Sequence, residues 1–151
     1  NRCFAGLVGL TAGCASGSML GVGIIGSMAG IIIVFAVEFF DHIHVDDPVG
    51  AVAVHGVCGA FGTAAVGLFA LEGGLFYGGG LGLLGTQLLG IISVFIWTFP
   101  LAYILFRVID NIVGLRVSRK DELEGLDASE HDTVSYPDFV PTTKNSHRRE
   151  L

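Results

Sequence analysis

Along the first 113 residues the sequence is apolar in four runs, and polar positions gather between the runs rather than on alternating faces. The runs cover residues 3–15, 19–40, 49–71 and 81–113. Ser16-Gly17-Ser18 makes a turn between the first two, an acid- and histidine-bearing segment from Glu38 to Asp47 separates the next two, and the glycine-rich loop 72–80 separates the last two. A helix crossing a bilayer needs about 20 apolar residues, so the second and third runs have the length of a span. The first is short for one and fits a helix cut at its start. The fourth, drawn as a single helix, reaches roughly 50 Å; it has to tilt or project beyond the membrane, and Pro100 in its middle marks a kink. Pro48 suits the first turn of the third helix. After Val113 the chain turns polar, and residues 142–151 have the composition of a disordered end.

Composition sharpens this picture. Hydrophobic residues make up 52% of the chain and charged ones 15%, with 23 glycines, and no Lys or Arg occurs between Arg2 and Arg107. A soluble domain would need basic residues on its outer helix faces throughout, whereas glycine is common in membrane helices. The expected fold is therefore an all-α membrane protein, with four transmembrane helices in residues 1–113 and a tail in 114–151. Four spans put both ends on one side. Arg2 at one end and Arg107, Arg116, Arg119 and Lys120 at the other place that side in the cytoplasm, because acids count little in the positive-inside rule.

The net charge of -6 describes the tail and the acidic connection, and it speaks against nucleic acid as a partner. Cys3, Cys14 and Cys58 lie inside apolar runs, show no zinc or CxxC spacing and read as buried free thiols. The chain begins at Asn1 with no charged segment before its first apolar run, so a cleavable signal peptide is not indicated; the sequence reads as starting inside a longer protein. Glycines four apart (Gly9/Gly13, Gly17/Gly21, Gly26/Gly30), with Gly56, Gly59, Gly62 and Gly67 in the third helix, predict close helix packing.

Three segments bear on chemistry. His55 lies about two turns inside the third helix, with Ala51, Val52, Cys58 and Gly59 as helical neighbours and no carboxylate among them. An imidazole in a membrane helix is costly and marks a functional site by default, although a bond to a neighbouring helix carbonyl is the packing alternative. A neutral imidazole both donates and accepts a hydrogen bond, so it can bind a small polar molecule or pass a proton. The segment Asp41-His42-Ile43-His44-Val45-Asp46-Asp47 holds residues of metal-ligand type without the spacing of a metal motif, and reads as a solvated connection. Asp46 and Asp47 stand where they can cap the third helix. Gly78-Gly79-Gly80-Leu81-Gly82 lacks the Lys-Ser/Thr of a phosphate loop.

Several motifs resemble those of the ammonium transporter (Amt/Mep/Rh) family. They are Gly6-Leu7-Val8-Gly9-Leu10-Thr11-Ala12-Gly13-Cys14, Val45-Asp46-Asp47-Pro48, Val54-His55-Gly56-Val57-Cys58-Gly59, Gly114-Leu115-Arg116-Val117 and Glu124-Gly125-Leu126-Asp127, followed by His131 and Tyr136. The resemblance implies the last four helices of an eleven-helix fold that assembles as homotrimers, each subunit with its own narrow pore. It implies ammonium transport in the cytoplasmic membrane, no enzymatic activity and no cofactor or metal. On it, His55 is the second of two pore histidines, Thr11 lies near an outer recruitment site, and Ala51 lines the pore one turn before the histidine. Asp47 is the acid at the cytoplasmic start of that helix. Gly125, Asp127 and Ser129 belong to a regulatory tail, phosphorylatable in some members, that touches the neighbouring subunit, and a PII-type signalling protein docks at the cytoplasmic face in many bacteria. The first pore histidine, the aromatic gate and the recruitment tryptophan have no counterpart here, and Gly50 stands where some members have an acid. The rivals are an Rh-type gas channel for NH3 or CO2, a sensor acting through the tail, and, more distantly, a membrane enzyme using the Asp/His connection.

Overall fold

In the computed structural model, which describes residues 2–131, the described residues form helices and no strands. α1 covers Arg2–Thr11, α2 Met19–His42, and α3 Cys58–Phe69, preceded without a break by a π-helical segment, Ala51–Val57. α4 covers Gly82–Ile112, α5 Arg119–Glu124 and α6 Leu126–Glu130, and a 3₁₀ turn at Leu75–Tyr77 interrupts the glycine-rich loop. Three helical stretches are long and apolar enough to cross a membrane: Met19–His42, Ala51–Phe69 and Gly82–Ile112. These are the second to fourth of the expected spans; α1, with ten described residues, reaches about 15 Å, half a hydrocarbon core, in keeping with the short first apolar run.

The chain divides into two compact units, the first ending at Leu101 and the second starting at Ala102. The core of the first is built from small side chains. Ala5, Ala29, Ile33, Ala36, Ala53, Val54 and Cys58 are buried together where α1, α2 and the π segment meet α3. Along α2 the buried positions are Gly21, Ile25, Ala29, Ile33 and Ala36, one stripe at helical spacing. Close backbone approach, rather than bulky interdigitation, holds these helices together, as expected where lipid removes the hydrophobic drive between them.

The glycine that matters most is Gly62. A Cβ there would overlap the carbonyl of Gly9, and a Cβ on Gly9 would lie 2.8 Å from the Ala29 Cβ. The three helices thus cross at Gly9, Ala29 and Gly62. Gly67 plays the same part against α4, where a Cβ would come within 2.5 Å of the Leu84 Cα. Gly30 has open space around it, so spacing by four does not by itself mark the contacts.

Ser18 caps α2, its Oγ accepting the Gly21 N–H at 3.0 Å, and it shares a 2.6 Å hydrogen bond with the Tyr77 hydroxyl. The Leu71 N–H donates to the Ser16 carbonyl at 2.8 Å, and the Phe69 and Phe76 rings lie 5.0 Å apart. These contacts stitch the α1–α2 turn to the loop after α3. At its other end α2 closes with two reverse bonds, Val45 N–H to the Phe40 carbonyl and His44 N–H to that of Asp41, the arrangement that normally places glycine at the left-handed position. Here that position is His44, with φ 61°. His44 is thereby occupied in ending a helix. Replacing His44 with glycine is expected to raise stability by about 0.5–1 kcal/mol, read as a higher melting temperature of the purified protein.

α4 runs through Pro100 as one continuous helix and has no fully buried residue. In the second unit Arg107 Nε donates to the Tyr103 hydroxyl at 3.1 Å and its guanidinium lies 5.4 Å from that ring's centre, so Tyr103 partners a cation. Gly114, at φ 78°, ends α4, and the Asp110 carboxylate accepts the Leu115 N–H at 3.1 Å. Ser118 caps α5 by accepting the Asp121 N–H. The Arg116–Glu122 ion pair at 2.6 Å is 79% and 48% exposed, a geometry worth at most about 1 kcal/mol. Tyr136 and the segment 142–151 lie outside the described residues.

Candidate functional site

The site is assembled at the entry to the π-helical segment that leads into α3. Asp47-Pro48-Val49-Gly50 forms a tight turn closed by the Gly50 N–H on the Asp47 carbonyl at 3.0 Å. Pro48 is the second residue of that turn, where its fixed φ is suited, and not part of the helix as its sequence position suggested. Gly50 has φ 75°, a left-handed conformation that residues with a Cβ resist. The turn folds the Asp47 carboxylate back over the helix start. It accepts the Ala53 N–H at 2.9 Å and the Val52 N–H at 3.1 Å. The capping role expected of Asp47 is thus seen directly, while no hydrogen bond of this kind involves Asp46 among the described residues.

Electrostatics follow from these bonds. The Ala53 N–H foremost, opposed by partial burial and helped by the Val52 and Ala51 N–H groups, holds the Asp47 carboxyl below its ordinary range. It is ionised at neutral pH and complements the positive end of the helix.

From Ala51 to Val57 the chain winds as a π-helix, and the Cys58 N–H reaches back five residues to the Ala53 carbonyl. Such windings are rare and occur often at functional sites. His55 lies in this segment. Ala53, Val54 and Cys58 are buried against the neighbouring helices, whereas Ala51, Val52, His55 and Gly56 are exposed. His55 and Ala51 therefore share the face that turns away from α1 and α2. Among the described residues no hydrogen bond to the His55 imidazole is seen.

Thr11 is the last residue of α1, exposed, its hydroxyl donating to the Val8 carbonyl at 2.7 Å. A Cβ on Gly59 would touch Val8, and one on Gly13 would touch Val66. With the Gly9–Gly62 crossing, this register sets α1 parallel to α3 and puts Thr11 level with residues 62–66, roughly 10 Å or more along the helix from His55. Thr11 therefore lies towards the end carrying the Ser18–Tyr77 bond, and Asp47 at the opposite end. Thr11 and His55 are not brought into contact.

The tail residues belong to the second unit. Gly125, at φ 90°, joins α5 to α6, Asp127 lies in the first turn of α6, and Ser129 is within that helix. Among the described residues, no group of three or more His, Cys, Asp or Glu is placed to hold a metal ion. The π winding and the roles of Gly50 and Ser18–Tyr77 were not foreseen. Gly50 after Asp-Pro was the one local signal available, as a glycine following a turn-forming pair.

Comparison with known proteins places this geometry in a family. The profile described as the Ammonium Transporter Family matches residues 1–136. Ammonium transporter Amt2 of Archaeoglobus fulgidus is 38% identical over 154 residues, covering 94% of this chain and 33% of that protein. Ammonium transporter Amt1 of Haloferax mediterranei is 36% identical over 145 residues, covering 93% of the chain and 26% of the relative. Ammonium transporter 1 of Dictyostelium discoideum is 35% identical, covering 97% and 33%. The chain spans about a third or less of the length of these relatives.

Proposed function

Because the chain belongs to the ammonium transporter family, we propose that the transporter it helps to build carries ammonium across the cytoplasmic membrane, with His55 in the pore. One observation supports this reading above others: an exposed imidazole on a rare π winding, inside a helix apolar enough to span a membrane. Moving NH4+ whole through an apolar passage costs several kcal/mol or more. NH4+ gives up its proton near the outer mouth, the neutral NH3 passes and hydrogen-bonds the imidazole on its way, and the proton crosses separately by way of the imidazole, so that charge moves with each turnover. Ala51, on the same face one turn earlier, keeps the wall narrow and apolar, and Thr11 serves the outer end. Asp47 belongs to the cytoplasmic end. On this reading residues 1–113 are the membrane part and 114–151 a cytoplasmic tail, with Gly125, Asp127 and Ser129 as its regulatory positions. The assembly is a homotrimer, and a PII-type protein is a partner to test for.

The complete transporter in proteoliposomes is expected to take up methylammonium and to give a current when ammonium is added. Uptake without current makes it a gas channel. Neither uptake nor current sinks the transport reading.

A further inference from the structure

The π winding needs something to hold it, because seven residues of π-helix are less favourable than the same residues as α-helix. Its far end is anchored: Cys58 is fully buried, its thiol 3.7 Å from the Ala29 carbonyl, and Gly62 is clamped against Gly9 one turn later. Its near end is held by the buried Ala53 and Val54 and by the turn at residues 47–50. There Asp47 binds two successive N–H groups, those of Val52 and Ala53, and the Val54 N–H closes on the Gly50 carbonyl at 2.7 Å. Ala53 is the pivot. Its N–H is taken by the Asp47 carboxylate, while its carbonyl accepts the Cys58 N–H across the five-residue π turn. His55 sits between these two fixed points. An α winding over the same stretch would rotate position 55 by several tens of degrees relative to the anchored Cys58.

We infer that Asp47 is a positioning residue for His55, holding Ala51–Val57 in the winding that turns the imidazole onto the face it shares with Ala51. The carboxylate does not touch the passing molecule. It acts through two backbone bonds and the left-handed Gly50 beside them. The activity arm of this inference rests on the transport reading above, but the geometry does not.

Two measurements on the complete transporter test it. In the first, Asp47→Ala is expected to lower the maximal rate of methylammonium uptake at least about tenfold while KM changes little, the sign of a misplaced group rather than lost substrate binding. Asp47→Asn keeps an oxygen that accepts N–H bonds, so its rate is expected within about threefold of the parent. In the second, His55→Cys is made with the exposed Cys3 and Cys14 replaced and the buried Cys58 kept, and its reaction with a charged thiol reagent is timed. Adding Asp47→Ala is expected to change that rate several-fold and adding Asp47→Asn to leave it unchanged. Gly50→Ala, which strains the same turn with the carboxylate intact, is expected to shift it in the direction of Asp47→Ala and keeps the test open where that variant does not fold.

A thiol rate indifferent to Gly50→Ala and to Asp47→Ala overturns the inference. So does an Asp47→Asn variant as slow in uptake as Asp47→Ala, which would mean that charge rather than the backbone bonds is needed. Thiol rates that respond as expected in a protein that moves no methylammonium uphold the positioning role and count against the transport reading alone.

Discussion

Replacing His55 with alanine in the complete transporter is expected to lower methylammonium uptake about tenfold while leaving the melting temperature unchanged. The rate estimate follows from one hydrogen bond. An imidazole that meets neutral NH3 in an apolar passage supplies about 1–1.5 kcal/mol that nothing else on its face can replace, which is close to a factor of ten in rate. Ala51, Val52 and Gly56, its neighbours on that face, offer only apolar surface. The stability estimate follows from how this helix is held against α1 and α2. The helix is held by Ala53, Val54 and Cys58 on the opposite face, and none of their contacts passes through the imidazole. A core histidine would behave in the opposite way, losing stability first. Unaltered uptake in the alanine variant removes His55 from the pathway, and a large fall in melting temperature with proportionate loss of uptake makes it a packing residue.

The helices were legible in the sequence because their ends carry chemical signals. Ser18, the acidic connection after α2, the Asp-Pro turn and the glycine-rich loop bound α2, the Ala51–Phe69 stretch and α4 to within about two residues of the apolar runs, whereas α1 ends at Thr11, four residues before its run does. What local sequence could not carry was winding and contact. Ala-Val-Ala-Val-His-Gly-Val has no composition that favours a π-helix, and its winding depends on a carboxylate folded back from one side and a buried cysteine on the other. Glycine spacing predicted close helix packing, and the close crossing joins two of the glycines it singled out, Gly9 of α1 and Gly62 of α3, 53 positions apart; which glycine meets which is not written in the spacing. His44 read as part of a solvated connection, of metal-ligand type but without the spacing of a metal motif. Its φ of 61° follows from how a helix ends, a backbone fact that side-chain type does not reveal.

The same crossing connects the site to the rest of the first unit. Thr11 and His55 are on different helices, and their separation along the axis is set by how α1 lies on α3. With so little side chain at the contact, the helices have no flexible groups to absorb a change. Small residues at an interface permit close approach, and they also remove the means of repair.

Replacing Gly62 with alanine is therefore expected to destabilise the protein by about 3 kcal/mol, at the upper end of what an added methyl does in a packed interior. The new Cβ would overlap the Gly9 carbonyl, a backbone atom that no rotamer change can move. Either α1 shifts away, opening the buried cluster around Ala5 and Ala29, or α3 does, and then the Cys58 anchor of the π segment moves with it. Uptake falls in either case, because both routes alter the spacing of Thr11 from His55. Gly30→Ala is the matched control: its Cβ would meet open space, and alanine in a helix gains up to about 1 kcal/mol over glycine. The two variants add the same methyl to the same kind of helix. Thermal melting and uptake measured side by side should fall for position 62 and hold or rise for position 30, and equal behaviour would mean that the Gly9–Gly62 crossing does not exist in the membrane.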